Sequence, residues 1–377
     1  MERAKIGILG GTLDPVHNGH IALMRMARAQ MRLERVLLLP AGDPPHKHCH
    51  AAAEDRLAMA RLAAGDEFSL CEAEVRRPGK TYTVDTLRAL RQQTGAELVY
   101  IIGADTLSQI ASWREHEQVF ALCSFAAVRR EGQADARVPE GARVRWLDGD
   151  APQVSSTLVR ERAAVRAPLD GLTPPEVGAY IRARGLYLMD VPEAEAERRL
   201  RTLLTPRRYR HTLGVRDTCE RLAKIHGLDV AAARVAGLLH DVAKCLPFDE
   251  QVRLAGDLAD ERERADEQLV HAPAGVALAK ERFGVRDEEI LAAIGCHTLG
   301  GEAMTDLMLA VFVADFIEPG RADFPGLDQA RALAGTDLRA AASKCANLTL
   351  QYVRKTGREA HPRTVRMLEQ YGRDHPI

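Results

Sequence analysis

The sequence predicts an α/β unit built on a parallel sheet, followed by an all-helical unit. Up to about residue 190, short apolar runs alternate with amphipathic segments of helix length; beyond Asp190-Val191-Pro192-Glu193 come long Ala/Leu/Arg/Glu stretches of helical period with few β-branched clusters. A chain of 377 residues also suits two domains at roughly 150 residues each. The domains so drawn are 1–190 and 194–377, with no internal repeat or low-complexity segment.

The strands come first. Ile6-Gly7-Ile8-Leu9, Val36-Leu37-Leu38-Leu39, Val99-Tyr100-Ile101-Ile102 and Phe125-Ala126-Ala127-Val128 are continuous apolar runs, the pattern of parallel strands covered on both faces. Hydrophobic residues at 46% and charged ones at 28% leave ample surface to bury and exclude disorder as the main state. Lys and Arg total 52 against 53 for Asp and Glu, a net charge of −1, so no global field grips a nucleic-acid backbone and none is expected as a partner. No apolar run approaches the roughly 18 residues of a membrane span; a cytoplasmic protein without a membrane partner is expected. The seven cysteines are scattered with no Cys-x-x-Cys pair, which indicates neither a disulfide framework nor a thiolate zinc site.

Immediately after the first run comes Gly10-Gly11-Thr12-Leu13-Asp14-Pro15-Val16-His17-Asn18-Gly19-His20, then the amphipathic Ile21-Ala22-Leu23-Met24-Arg25-Met26-Ala27. A strand, a glycine turn and a helix start make an anion site. Glycine permits close backbone approach, and the helix N-terminus offers unpaired N–H groups and about half a positive charge. His17 and His20 are three apart, so a helix beginning near His17 turns both rings toward one ligand. The string is neither a P-loop nor a dinucleotide fingerprint, which argues against an ordinary NTPase or dehydrogenase.

This string closely resembles the signature of the HIGH-type nucleotidylyltransferases. Pro44-Pro45-His46-Lys47, Thr81-Tyr82-Thr83-Val84-Asp85-Thr86-Leu87, Ile102-Gly103-Ala104-Asp105-Thr106-Leu107 with Trp113, and Val154-Ser155-Ser156-Thr157-Leu158-Val159-Arg160 occur in the order of bacterial nicotinate-nucleotide adenylyltransferases. The resemblance covers nearly all of residues 4–187 and implies a Rossmann-like domain that joins nicotinate mononucleotide to the α-phosphorus of ATP, with Mg2+ accompanying ATP. It yields deamido-NAD and pyrophosphate. The nucleophile is a phosphate oxygen already ionised, so catalysis reduces to alignment and charge stabilisation. His17, His20, Lys47 and Arg160 are expected on the phosphates, Gly10, Gly11, Thr12 and Asp14 in the cradle, and Ser155 and Ser156 at a second helix N-terminus. By resemblance Trp113 stacks on the pyridine ring, Thr83 meets the nicotinate carboxylate, and Gly103 and Asp105 line the nucleotide pocket. Phosphopantetheine and nicotinamide mononucleotide remain alternative acceptors. Leu13 stands where the family usually has Phe. His46, His48 and His50 with Cys49 are read as a loop that brings Lys47 to the triphosphate, their spacing being wrong for a metal site on a helix face.

The second half carries His211, the pair His240-Asp241, His271, His297 and Asp315, each in a predicted helix or at its end. An apolar helix bearing His, Asp and Lys together in Leu238-Leu239-His240-Asp241-Val242-Ala243-Lys244 must satisfy them, and metal coordination does so. Imidazole and carboxylate without sulfur suit iron, manganese, cobalt or zinc. The order His, His-Asp, Asp resembles the HD metal-dependent phosphohydrolases, with His271 and His297 as the extra ligands of the dinuclear subgroup. Tyr209-Arg210-His211-Thr212-Leu213-Gly214-Val215, Cys296-His297-Thr298 and Phe312-Val313-Ala314-Asp315-Phe316-Ile317-Glu318-Pro319-Gly320-Arg321 look like the bacterial YqeK-type family. That likeness, over about 195–370, implies an all-α HD-superfamily domain with a dinuclear Fe, Mn or Co centre. The reaction that the likeness implies is symmetric hydrolysis of diadenosine tetraphosphate to two ADP. Asp241 would bridge the metals, with Lys244 and Arg321 on phosphate. The other reading makes this half a nucleotide-sensing module, or an enzyme for another nucleotide. The basic stretch Arg198, Arg199, Arg201, Arg207, Arg208 and Arg210 is read as a solvated face paired with Glu193, Glu195 and Glu197. A homo-oligomer is left open.

Overall fold

The computed structural model describes residues 3–45, 47–128, 138–149 and 152–373; His46 lies outside them. The chain forms two compact units, Met1–Ala163 with Ala167–Ile181, and Ala164–Arg166 with Arg182–Ile377.

The first unit holds a six-stranded sheet in the order β3-β2-β1-β4-β5-β6, with β1 Lys5–Gly11, β2 Arg35–Pro40, β3 Ser69–Leu70, β4 Glu97–Gly103, β5 Cys123–Val128 and β6 Val144–Leu147. Every pairing is parallel. The four apolar runs of the sequence are the four central strands. Ile6, Ile8, Leu37, Leu39, Leu98, Tyr100, Ile102 and Phe125 pack on one face with Val84, Leu87 and Phe120. The alternate positions Val36, Leu38, Val99, Ile101 and Ala126 are buried too, which is why the runs are apolar throughout. The edge strands β3 and β6 leave no such mark in the sequence: one has two residues, and the other, Val-Arg-Trp-Leu, is too short and mixed to read as a run.

Strand β1 pairs with β2 on one side and β4 on the other. Strand order therefore reverses between β1 and β4, and ligands of open parallel sheets bind beyond the carboxyl ends of the strands at such a point.

The second unit is helical among its described residues. Its principal helices are Pro206–His226, Val230–Leu239, Glu267–Phe283, Glu288–Cys296, Asp306–Ile317 and Leu338–Lys355. Local chemistry sets their ends: Thr205 caps Pro206–His226 with proline in the first turn, and Gly227 closes it in the left-handed region. Asp229 and Asp287 each accept two amide N–H groups at the next starts. The sequence boundary near 190–194 shifts to Ile181/Arg182. Leu188, Met189 and Val191 belong to the helical core, and Asp190 N–H donates to the Phe283 carbonyl at 2.8 Å. The excursion at 164–166 has its own cause: the Arg166 guanidinium pairs with Asp287 at 2.7 Å and Glu289 at 2.5 Å. No helix among the described residues is long and apolar enough to cross a membrane.

Candidate active sites

The loop after β1 is shaped by close approach. A Cβ on Gly10 would lie 2.1 Å from the Tyr100 hydroxyl, whereas one on Gly11 would meet nothing within 4 Å. Gly10 is thus needed for packing, and Gly11 leaves room in front of the backbone. Leu13 is buried at φ +49°, a region unfavourable to branched side chains. His17, in extended conformation, is the N-cap of helix Asn18–Met31, and its N–H donates to His20 Nδ1 at 3.2 Å. The two rings stack with centroids 3.7 Å apart. The helix start near His17 is as expected, and it brings both imidazoles to one place.

A cavity of about 600 Å³ opens at the carboxyl ends of β1, β2, β4 and β5. Every residue of the first unit expected to meet a substrate lines it: Gly10, Gly11, Thr12, Asp14, His17, His20, Lys47, Thr83, Gly103, Asp105, Trp113, Ser155, Ser156 and Arg160. Trp113 is half-buried, edge-on to Tyr100 at 5.7 Å between centroids. Thr83 begins the helix Thr83–Thr94. Ser156 begins Ser156–Ala164 and donates to the Pro15 carbonyl at 2.9 Å, and Arg160 donates to the Asp14 carbonyl at 2.7 Å. This helix start is therefore tied to the histidine loop. Asp14, expected at the substrate, accepts N–H bonds from His50 at 2.6 Å and Ala51 at 3.1 Å. Those contacts fix the segment just beyond Lys47.

Two residues that the sequence does not single out support the cavity. Arg56 is almost wholly buried and donates to the carbonyls of Thr12, Ala41, Gly42 and Ala51 at 2.6–3.3 Å. Glu74 is buried on the cavity wall and accepts from Thr86 at 2.9 Å; burial pushes its carboxyl up, against the opposing hydroxyl bonds. Both sit in segments whose charged residues read as ordinary surface, so only tertiary packing reveals them.

In the helical unit the six expected ligands converge. Helix Val230–Leu239 ends sooner than expected, leaving His240 as its C-cap and Asp241 in the next turn; His297 is likewise the C-cap of Glu288–Cys296. The last carbonyls of a helix lack intrahelical partners. Here they take the ring: His240 Nδ1 lies 2.8 Å from Gly237 O and His297 Nδ1 2.7 Å from Ile294 O. A carbonyl can only accept, so each Nδ1 holds a proton and each ring turns its Nε2 inward.

The Nε2 atoms of four histidines face Asp241. Its Oδ2 is 3.4 Å from His240 Nε2 and 3.7 Å from His211 Nε2, while its Oδ1 is 3.4 Å from His271 Nε2 and 3.6 Å from His297 Nε2. Asp315 Oδ1 closes the first group at 3.0 Å from His211 and 3.8 Å from His240. Buried His240 Nε2 has no hydrogen-bond partner among the described residues. Imidazole nitrogens gathered this closely around carboxylate oxygens need a proton or a cation among them, and this set of nitrogen and carboxylate donors fits divalent metal. One oxygen of Asp241 faces each side.

Burial pushes the Asp241 carboxyl up, but His240, His297 and His271 outweigh it and hold it well below the carboxylate range. Burial likewise opposes ionisation of Asp315, and His211 and Arg321 prevail. Burial, helped by His297 and Lys244 and opposed by Asp241 and Asp315, drives His271 well below 6.5. Lys244 is lowered by burial and sits 3.1 Å from His271 Nδ1, and Arg321 donates to Asp315 Oδ1 at 2.7 Å. Arg208 corrects the reading of the basic stretch. Arg199 does pair with Glu195 at 2.9 Å, but the Arg208 guanidinium reaches Asp241 Oδ2 at 2.7 Å. One turn of helix before His211 puts it at the site, a placement that a linear charge count cannot supply.

Residues 8–162 match the cytidylyltransferase-like family and residues 208–320 the HD domain. A "Probable nicotinate-nucleotide adenylyltransferase" of Roseiflexus sp. (strain RS-1) is 42% identical over 201 residues, covering 50% of this chain and 100% of the relative. A "Probable nicotinate-nucleotide adenylyltransferase/Ap4A hydrolase" of Mycoplasma genitalium is 27% identical over 323 residues, covering 85% of this chain and 89% of that one. The crystal structure of a predicted HD superfamily hydrolase involved in NAD metabolism, from Clostridium acetobutylicum, is of a chain 34% identical. It covers 48% of this chain and 98% of its own at a TM-score of 0.47. By its likeness to the whole of the Roseiflexus relative, the chain belongs to the nicotinate-nucleotide adenylyltransferase family, and it carries an HD domain in addition.

Proposed function

We propose that the chain is a cytoplasmic bifunctional enzyme, the first unit transferring the adenylyl group of ATP to nicotinate mononucleotide and the second hydrolysing diadenosine tetraphosphate to two ADP. For the first reaction the carrying observation is the cavity in which His17 and His20 stack beside Lys47, Arg160 and a helix N-terminus. A phosphate oxygen of the mononucleotide forms a bond to the α-phosphorus, the bond to the β-phosphate bridging oxygen breaks, and pyrophosphate leaves. The acceptor oxygen is already ionised, so no residue need remove a proton. His17, His20, Lys47 and Arg160 align the triphosphate, which comes with Mg2+, and stabilise charge moving onto the leaving group. Trp113 offers a face for the pyridine ring, and the Thr83 helix start offers N–H groups to a carboxylate. A carboxylate acceptor is thereby favoured over an amide.

For the second reaction the carrying observation is Asp241, whose two oxygens face different histidine groups. His211, His240 and Asp315 would hold one divalent Fe, Mn or Co ion and His271 and His297 the other, with Asp241 shared. When bound, such a pair supplies an acidified water and neutralises phosphate charge. Arg208, Lys244 and Arg321 surround the ligands with cationic groups for a polyphosphate. A sensing module without turnover would not require both oxygens of Asp241 to be served.

The test is to incubate the chain with ATP and either nicotinate or nicotinamide mononucleotide, and separately, loaded with Mn2+, with diadenosine tetraphosphate, and to identify products by mass spectrometry. Deamido-NAD with pyrophosphate, and ADP alone, are expected. Preference for the amide acceptor, or ATP plus AMP from the dinucleotide, overturns the corresponding assignment.

A further inference from the structure

His211 cannot orient its ring as His240 and His297 do. It lies inside helix Pro206–His226, where the carbonyls around it are engaged within the helix, whereas the other two cap helix ends with free carbonyls. Its Nδ1 instead lies 3.0 Å from Oε1 of Glu318, the residue that ends helix Asp306–Ile317. Glu318 is buried at 3% exposure, and its other oxygen accepts the Gly320 N–H at 2.5 Å.

Two glycines make room for this carboxylate. A Cβ on Gly214, one turn beyond His211 on the same helix face, would lie 2.6 Å from Glu318 Oε2, and one on Gly320 would lie 2.9 Å from it. Glycine inside a helix is unfavourable to its stability. At 214 the gain is space for the carboxylate.

We propose that Glu318 is a positioning residue of the helical site: it holds the Nδ1 proton of His211, so that Nε2 presents its lone pair to the metal, and Gly214 and Gly320 exist in this chain to admit it. Glu318 touches neither Asp241 nor Asp315 among the described contacts, and it acts through His211. A carboxylate on the far nitrogen also makes the imidazole a stronger donor. The inference rests on the metal-centre reading above.

The test is Mn2+ titration of the full chain, freed of metal by chelation, in competition with a chromogenic chelator, with elemental analysis at saturation. The parent and Asp241→Ala are run alongside as controls. Glu318→Ala weakens Mn2+ binding by about 10–100-fold with unchanged stoichiometry at saturation, and Glu318→Gln, whose amide oxygen still accepts from Nδ1, weakens it less. Gly214→Ala weakens binding as well, although alanine is the better helix former, and it serves where Glu318→Ala fails to fold. Parent-like affinity in Glu318→Ala or Gly214→Ala overturns the positioning role. A fall in stoichiometry with Glu318→Ala also overturns it, since the carboxylate is then itself a ligand. A parent that takes up no Mn2+ overturns the metal-centre reading, and this role with it.

Discussion

The guanidinium of Arg56 donates to the Thr12 carbonyl at 2.8 Å across 44 positions of sequence, and so joins the loop after β1 to the segment after β2. Its remaining donors hold Ala41, Gly42 and Ala51. One buried side chain thus sets the spacing between the histidine loop and the segment that carries Lys47.

Arg56→Lys keeps the charge but cannot reach four carbonyls. Each carbonyl left without a donor costs about 1–3 kcal/mol, so the first unit should melt earlier in calorimetry and the KM for ATP should rise. An unchanged KM beside the lower melting temperature would confine Arg56 to folding.

His20→Ala should lower adenylyl transfer by about 10²–10³-fold, the usual loss for a donor to developing charge, while diadenosine tetraphosphate hydrolysis stays at the parent rate. Both rates are read on one preparation. A drop in both would point to unfolding rather than to the site.

Asp241→Ala removes the carboxylate that both histidine groups share, and bound metal and hydrolysis should vanish together. Adenylyl transfer should persist, because Asp241 lies in the other compact unit. Elemental analysis beside the transfer assay decides; retained metal would contradict a bridging carboxylate.

Glu74 gives a pH signature. Burial raises its folded pKa above 4.5, so the unfolded chain loses this proton first as pH rises. Its contribution to stability is complete below about 4.5 and disappears as pH climbs through the folded value. Glu74→Gln, which mimics the protonated form, should gain melting temperature over the parent progressively above pH 4.5. A pH-independent difference would mean that folding leaves the Glu74 pKa unshifted.

The sequence reveals what is local. Apolar runs such as Val36–Leu39 mark central strands because both faces are covered, and Gly10-Gly11 before His17 marks a strand-to-helix anion site because glycine and the helix start act within a few residues. The roles of Asp14, Arg56, Arg208 and Glu318 escape a linear reading for one reason: each acts on a partner from another segment. Arg208 reaches Asp241 33 positions away and Glu318 reaches His211 across 107. A charge beside other charges looks solvated until the fold supplies its neighbour. The end of the first unit is hidden similarly, since Leu188 and Met189 declare their allegiance only through the helical core.

The C-cap histidines limit how this domain can change length. Each ring takes its orientation from the carbonyl three residues before it, and one residue added to or removed from an α-helix rotates every downstream side chain by about 100°. An insertion within the last turn before His240 or His297 would swing Nε2 away from Asp241. One ahead of Asp229 or Asp287 would leave the terminal turn intact. Natural variation in length should therefore gather at the starts of these two helices, and a designer grafting the centre onto another bundle would need to transplant their final turns whole.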